Sequence, residues 1–332
     1  MSGELAATES WFQRHGLPYF VPAERAAVRA ALRPGRTLPL LVGVLLVAVA
    51  AGIGLAWFAD EITAGPALLL AIVLGAALWY ALTALRFRPI LTWSLGRTTG
   101  SLARLLPNMS RALPLLLVFV TFLFINAEVW QMTAYLTPAL LWLTVLLFTG
   151  IGVAFLLVRL PEEVDRADDH VDDAFLVRAC AGTPLEESCA ELIAEDGVDP
   201  ASYATVSGFE RWNLILALMI VQAVQVLLLA VSVFVFFLVF GSLVMEESVQ
   251  LSWTGLESLH SVPGLPTVSL ELLQVSIFLA GFSGLYLTVS TVTDETYRDQ
   301  FFSGVTRELE RAVGMRAVYL ALRARESSRH QD

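Results

Sequence analysis

Six stretches of about twenty apolar residues run along this chain, and they leave its folded form little choice of solvent. They cover roughly Leu38–Phe58, Ile62–Leu85, Ala112–Trp130, Thr137–Val158, Asn213–Met245 and Leu270–Val292. A hydrocarbon core about 30 Å thick takes a helix of about 20 residues. Inside it only helices and closed barrels satisfy their own backbone. The reading is an all-α polytopic membrane helix bundle with about six transmembrane helices. Composition agrees: 56% of the 332 residues are hydrophobic and 16% are charged, against about 25% charged in soluble domains. The fifth run is long. Its 33 residues would reach about 50 Å at about 1.5 Å per residue. It must tilt, bend near Gly241, or project beyond the bilayer.

The basic residues orient the bundle. All 21 are arginine, and lysine is absent. Five precede the first run. Arg86, Arg88, Arg97, Arg104 and Arg111 lie between runs two and three, and Arg159, Arg166, Arg178 and Arg211 between four and five. Seven follow the sixth, from Arg298 to Arg329, while connections 59–61, 131–136 and 246–269 carry none. Basic residues accumulate in cytoplasmic loops, so both termini are expected inside a bacterial plasma membrane. No secretory signal is visible: the first apolar run follows a long arginine-bearing segment, unlike a short signal n-region. The absence of lysine excludes a Walker A loop, a protein kinase site and Schiff-base chemistry. Because lysine codons are AT-rich, it also suits a GC-rich genome.

The chain divides into a cytoplasmic N-terminal cap (1–36), transmembrane helices one to four (37–158), an acidic cytoplasmic insert (159–212), helices five and six (213–292) and a cytoplasmic amphipathic C-terminal helix (293–332). The cap holds Trp11, Phe12, Tyr19 and Phe20. Pro22 fits a helix start, and Arg33-Pro34-Gly35 its end. Ala48, Gly52 and Ala56 in the first span, with Ala67, Ala71 and Gly75 in the second, form faces that let helix backbones approach closely. With only Asp60-Glu61 between them, a tight hairpin is predicted. Leu91, Leu95, Leu102, Leu105 and Leu106 predict an interfacial helix near 90–106. Leu160–Asn213 holds fourteen acidic residues and three arginines. Outer loop 246–269 is expected to hold a short surface or re-entrant helix. In the C-terminal segment, Phe302, Val305, Leu309, Ala312 and Tyr319 fall near one face.

Three constellations bear on chemistry. Gly281-Phe282-Ser283-Gly284 has the GxSG form of rhomboid proteases, but no histidine lies in a span to activate the serine, and a serine without a base is a poor nucleophile. Asp168-Asp169-His170-Val171-Asp172 has the DDxxD form of prenyl-transferring enzymes. Glu162, Asp165, Asp169 and Asp172 would share one helix face, which reads first as a solvated acidic surface and second as a cation site. Polar residues inside the spans are the sharpest signal. Gln222, Gln225 and Ser232 would share a face of span five. Ser276, Ser283 and Ser290 recur along span six, with Asp294 continuing the stripe. Thr121, Glu128 and Gln131 would share a face of span three. Cys180 and Cys189 read as reduced, buried thiols.

Leu17-Pro18-Tyr19-Phe20-Val21-Pro22 and Thr293-Asp294-Glu295-Thr296-Tyr297-Arg298 resemble segments of uncharacterised multi-pass membrane proteins of high-GC, actinobacterial-type bacteria, a resemblance that implies no activity. The topology is similar to six-span cation channels, but span four lacks an arginine ladder and the outer loop lacks a TVGYG-type filter. The function expected is a structural, sensing or assembly component, not an enzyme, with no cofactor, metal or catalytic residue assigned. The alternative is a channel or transporter whose polar path is Gln222, Gln225, Ser276, Ser283, Ser290 and Asp294. The expected partners are the lipid bilayer and a cytoplasmic protein or a second copy of the chain, not nucleic acid.

Overall fold

The computed structural model describes residues 2–59, 64–96, 116–168, 171–194, 199–293 and 295–329. Helices account for nearly all of it. In order they are α1 (Ser2–Arg14), α2 (Pro22–Ala31), α3 (Pro34–Ala59), α4 (Ala64–Thr83), α5 (Arg88–Gly96), α6 (Leu116–Phe124), α7 (Ala127–Ala134), α8 (Pro138–Asp168), α9 (Asp173–Cys180), α10 (Glu186–Ala194), α11 (Gly208–Val244), α12 (Glu247–Thr254), α13 (Leu270–Thr293) and α14 (Glu295–Arg329). Two strands, β1 (Ser261–Val262) and β2 (Leu265–Ser269), pair antiparallel between α12 and α13. Among the described residues four helices (α3, α8, α11 and α13) are long and apolar enough to cross a membrane, and the number rises to six if the bent pairs α4–α5 and α6–α7 are each one span. The apolar surface left open on these helices is extensive: Leu46 and Ile53 on α3 are each 66% exposed, and Leu243 on α11 is 79% exposed. Such surface is costly in water and ordinary in lipid. The chain is a helical, membrane-embedded protein.

The helices form two compact units. The first comprises Met1–Gly96, Glu163–Ala217 and Arg307–Asp332, and the second Arg97–Glu162 and Leu218–Thr306. Within the first, α3 and α4 make the expected hairpin, though with a different contact. A side chain on Gly52 would stand 2.9 Å from the Gly65 carbonyl oxygen, and one on Gly65 would stand 3.2 Å from the Ala56 Cβ. Gly75, expected at this seam, would meet nothing within 4 Å. The Asp60-Glu61 turn lies outside the described residues. Arg86 turns the chain with φ 53°, and α5 leaves at 92° to α4. The interfacial helix expected near 90–106 falls on α5 and beyond it; its portion from 97 to 106 is outside the described residues. Ile90 and Ser94 form the buried face of α5, whereas Leu91 is half-buried and Leu95 is exposed.

The C-terminal helix is more than amphipathic. Leu309, Ala312 and Tyr319 are buried as their spacing suggests, but so are Val313, Met315, Arg316, Ala317 and Val318. Gly314 has no room for a side chain, because Ala179 and Phe175 of α9 occupy that space. On the other side the ring of Tyr319 meets Phe12 of α1 edge-on at 5.5 Å. The Phe302 and Val305 side chains lie outside the described residues.

In the second unit the third apolar run is not one straight span. It breaks at Ile125-Asn126, with α6 and α7 set 68° apart. Asn126 causes the restart: its backbone is extended and its side chain accepts from the Glu128 N–H at 2.8 Å, an N-cap. Thr121 therefore shares no face with Glu128 and Gln131, and the latter two are exposed. The connection 246–269 holds the short helix expected, α12, and a β-hairpin that was not. Pro263-Gly264, with Gly264 at φ 87°, is the turn signal that reading for spans passes over. Trp130 packs edge-on against Trp253 at 6.1 Å, and Gln274 donates to the Leu136 carbonyl at 3.2 Å. α11 stays helical through Gly241, which lies so close to Leu272 and Phe124 that a side chain would displace them.

Candidate functional site

The in-span polar residues belong to the second unit. Gln222 and Gln225, one turn apart on α11, are each 3% exposed. The Gln222 Nε2 donor and the Gln225 Oε1 acceptor are buried without a hydrogen-bond partner. A buried unpaired amide atom costs about 1–3 kcal/mol, so these two groups stand out in an apolar helix. Ser232 does not join them: it is exposed and donates to the Leu228 carbonyl at 2.8 Å. On α13, Ser276 and Ser283 are fully buried and donate to Leu272 O (2.7 Å) and Leu279 O (2.6 Å). These hydroxyls are used within their own helix, the habit of serine in apolar helices. The Ser283 proton is thus held by its own backbone rather than by a base. Ser290 is half-buried, and Asp294 lies outside the described residues.

A separate cleft of about 470 Å³ opens in the same unit between α8, α11 and α13. Trp142, Phe148 and Phe234 wall it, and Gly152, Gly281 and Gly284 give it depth because they project no side chain. Its two threonines bond inward: Thr149 donates to Val145 O and Thr288 to Gly284 O, each at 2.9 Å. Gln222, Gln225, Ser276, Ser283 and Ser290 do not line it. The glycines of the GxSG segment thus face apolar space, with Gly284 opposite Val226 and Gly281 opposite Val145.

The carboxylate reading changes with the break after α8. Asp165 pairs with Arg211 at 2.7 Å and Glu163 with Arg166 at 2.8 Å, while Glu162 pairs with Arg159. Asp172 is not on that helix. It caps α9, accepting from the Phe175 N–H at 2.7 Å, so the four carboxylates do not share one helix face. Asp169 and His170 lie outside the described residues. Among the described residues no three His, Cys, Asp or Glu side chains converge as a metal site would require. Cys180 and Cys189 are both buried and free. Contact with the Cys189 thiol, and then burial, pushes the Cys180 thiol up, away from the nucleophilic thiolate.

A polar cluster that ties distant segments together sits in the first unit. Glu210, 2% exposed, is in the first turn of α11, where the helix dipole favours negative charge. It binds Arg25 of α2, and it accepts from the Arg316 Nε of α14 at 2.6 Å. Arg316 also donates to the Tyr203 and Thr205 carbonyls at 2.7 and 3.0 Å. One turn along, Asn213 accepts from the Tyr19 N–H at 2.9 Å and donates to Gly16 O at 2.8 Å. Tyr319 donates to Glu9 at 2.6 Å. These bonds close the N-terminal cap, the insert and the C-terminal helix onto one another. Glu210, Arg316 and Asn213 were not legible as a group, because each is a lone polar residue and their partners are about 100–200 positions away in sequence. The one available hint was a buriable acid at the mouth of an apolar run.

No family model matches the chain, and neither a curated protein nor a solved structure matches it.

Proposed function

We propose that this chain is a structural, sensing or assembly component of a bacterial plasma membrane, with both termini in the cytoplasm and no catalytic role. The observation that carries this reading is the first unit. Sixteen of the 21 arginines fall in the first unit, in segments 1–36, 86–96, 163–211 and 307–329, and connections 131–136 and 246–269, which carry none, belong to the second. The second unit also takes Arg97, Arg104, Arg111, Arg159 and Arg298, and the first takes connection 59–61 between α3 and α4. That grouping supports the inside-positive orientation. The segments expected in the cytoplasm form a helical platform with its own core, a surface suited to holding a protein partner or a second copy. Extraction from native membranes in mild detergent tests this. The complex should run well above the 36.2 kDa protomer on native mass measurement. A monomer that conducts ions in liposomes would contradict the proposal.

Permeation is the second reading, favoured by the unpaired Gln222 and Gln225 amide atoms. A hydrated path would satisfy both, since intramembrane polar groups commonly face water or substrate. In liposomes such a path passes a cation, and Gln225→Leu blocks the flux while the protein stays folded. Lack of flux across a broad ion panel removes this reading.

A further inference from the structure

The first unit carries a second cleft, of about 420 Å³, lined by Gln13, Arg14, Arg88, Pro89, Thr92 and Trp93. Three features define its chemistry. The first is charge. Arg14 and Arg88 are both exposed and have no acidic partner among the described residues, whereas Arg86 pairs with Glu24 at 3.4 Å and Arg25 with Glu210. Arg14 spends one donor on Ser10 O at 3.3 Å and keeps the forked end of its guanidinium, which suits a phosphate. The second is position. Arg88 and Trp93 lie on α5, which runs at 92° to α4; with α4 across the bilayer, that direction is the plane in which tryptophan and arginine anchor at the lipid–water boundary. The third is construction. Gly16 turns at φ 72°, and a side chain there would stand 3.0 Å from the Trp93 Cβ. This glycine brings the end of α1, and so Arg14, against the indole of Trp93.

From this geometry we infer that the cleft between α1 and α5 binds the phosphate headgroup of an anionic phospholipid, with Arg14 and Arg88 on the phosphate and Trp93 beside the glycerol and upper acyl region. The site goes beyond the proposed function and rests only on the chain being membrane-embedded. It gives a chain of net charge −10 a local cationic seat on an anionic leaflet.

The test uses the purified full-length protein in neutral detergent, with phosphatidylglycerol or phosphatidylcholine added and retained lipid read by native mass spectrometry. Phosphatidylglycerol is retained in preference to phosphatidylcholine. Each arginine near a membrane surface contributes about 1 kcal/mol toward anionic lipid, so Arg14→Gln with Arg88→Gln weakens retention roughly 30-fold. Arg14→Lys with Arg88→Lys keeps most of it, which separates lost charge from lost fold. Arg323→Gln with Arg325→Gln, an equal charge change elsewhere, leaves retention unchanged. Inorganic phosphate and glycerol phosphate fail to displace the lipid. Equal retention of both lipids, or wild-type retention by the glutamine pair, overturns the proposal. Displacement by inorganic phosphate overturns the lipid assignment in favour of a soluble phosphate ester.

Discussion

The two units differ in how their most buried polar side chains are satisfied. In the first, polar side chains reach across the chain: Glu210 to Arg25 and Arg316, Asn213 to Tyr19 and Gly16, Tyr319 to Glu9. In the second, Ser276 and Ser283 turn back on their own helix, and helices meet through Gly241, Gly281 and Gly284. Bonds that reach across the chain select one arrangement of distant segments, while bonds within a helix are satisfied in any arrangement. Lipid gives no hydrophobic drive between helices, so close packing of small residues takes that role. The segments of the first unit outside α3 and α4 use charge and hydrogen bonds to fix register, whereas α3 and α4 meet through Gly52 and Gly65. Substitutions in the two regions should therefore differ sharply in cost.

The largest effect is expected at Glu210. Glu210→Ala removes the acid that holds two arginines, and it leaves Arg316, 7% exposed, without its carboxylate. Breaking a buried ion pair from one side costs about 3–5 kcal/mol. The melting temperature in detergent should fall accordingly, and protease should cut between residues 199 and 208 first. A loss no larger than that of an exposed substitution would remove Glu210 from its central role.

Next comes the α3–α4 seam. Gly52→Leu forces Gly65 away and should cost about 1–3 kcal/mol, as overpacking does. Gly75→Leu points into open space and should stay within about 0.5 kcal/mol of wild type. Equal costs for the two in a detergent melt would refute this register.

Alkali should loosen the first unit before the second. Burial pushes the Tyr19 hydroxyl up to about 12. Burial, followed by the hydrogen bond to Glu9, pushes Tyr319 up to about 12. An unfolded tyrosine ionises near 10, so between about 10 and 12 the folded state holds protons that the unfolded state has released. Stability from these groups is complete below pH 10 and is lost as pH rises through 12. Tyr319→Phe should flatten this part of the pH–melting curve, and an unchanged slope would show that the ring is not so held.

The smallest effects are expected in the serine stripe. Ser276→Ala and Ser283→Ala each remove one bond to the same helix, worth about 0.6 kcal/mol or less. A loss several times larger would mean that these hydroxyls also serve something outside their helix.

What could be read from the sequence, and what could not, follows the same division. Helices α3, α4, α8, α11 and α13 follow from apolar length alone, because lipid imposes that length on each helix separately. The break at Asn126 was missed because an apolar run looks continuous across a cap whose effect is only local. The seam at Gly65 rather than Gly75 was missed because small-residue spacing marks a face without fixing its register. α14 reads as amphipathic from Phe302, Val305, Leu309, Ala312 and Tyr319, and the burial of Arg316 on it depends on the distant partner Glu210. Gln222 and Gln225 were readable as unusual, and they are buried with unpaired atoms; Ser276 and Ser283 were readable by position, but not in how their hydroxyls are spent.

The central proposal is that segments 1–36, 163–211 and 307–329 lie on the cytoplasmic side and connection 246–269 on the opposite side. Impermeant thiol labelling in intact cells tests it most directly, with Ser327→Cys on α14 and Ser258→Cys beyond α12, both exposed positions. The native Cys180 and Cys189 are buried, and the unsubstituted chain gives the background. The account predicts that Ser258→Cys labels from outside and that Ser327→Cys labels only after the membrane is opened. Labelling of Ser327→Cys in intact cells, or of both positions from the same side, would contradict it.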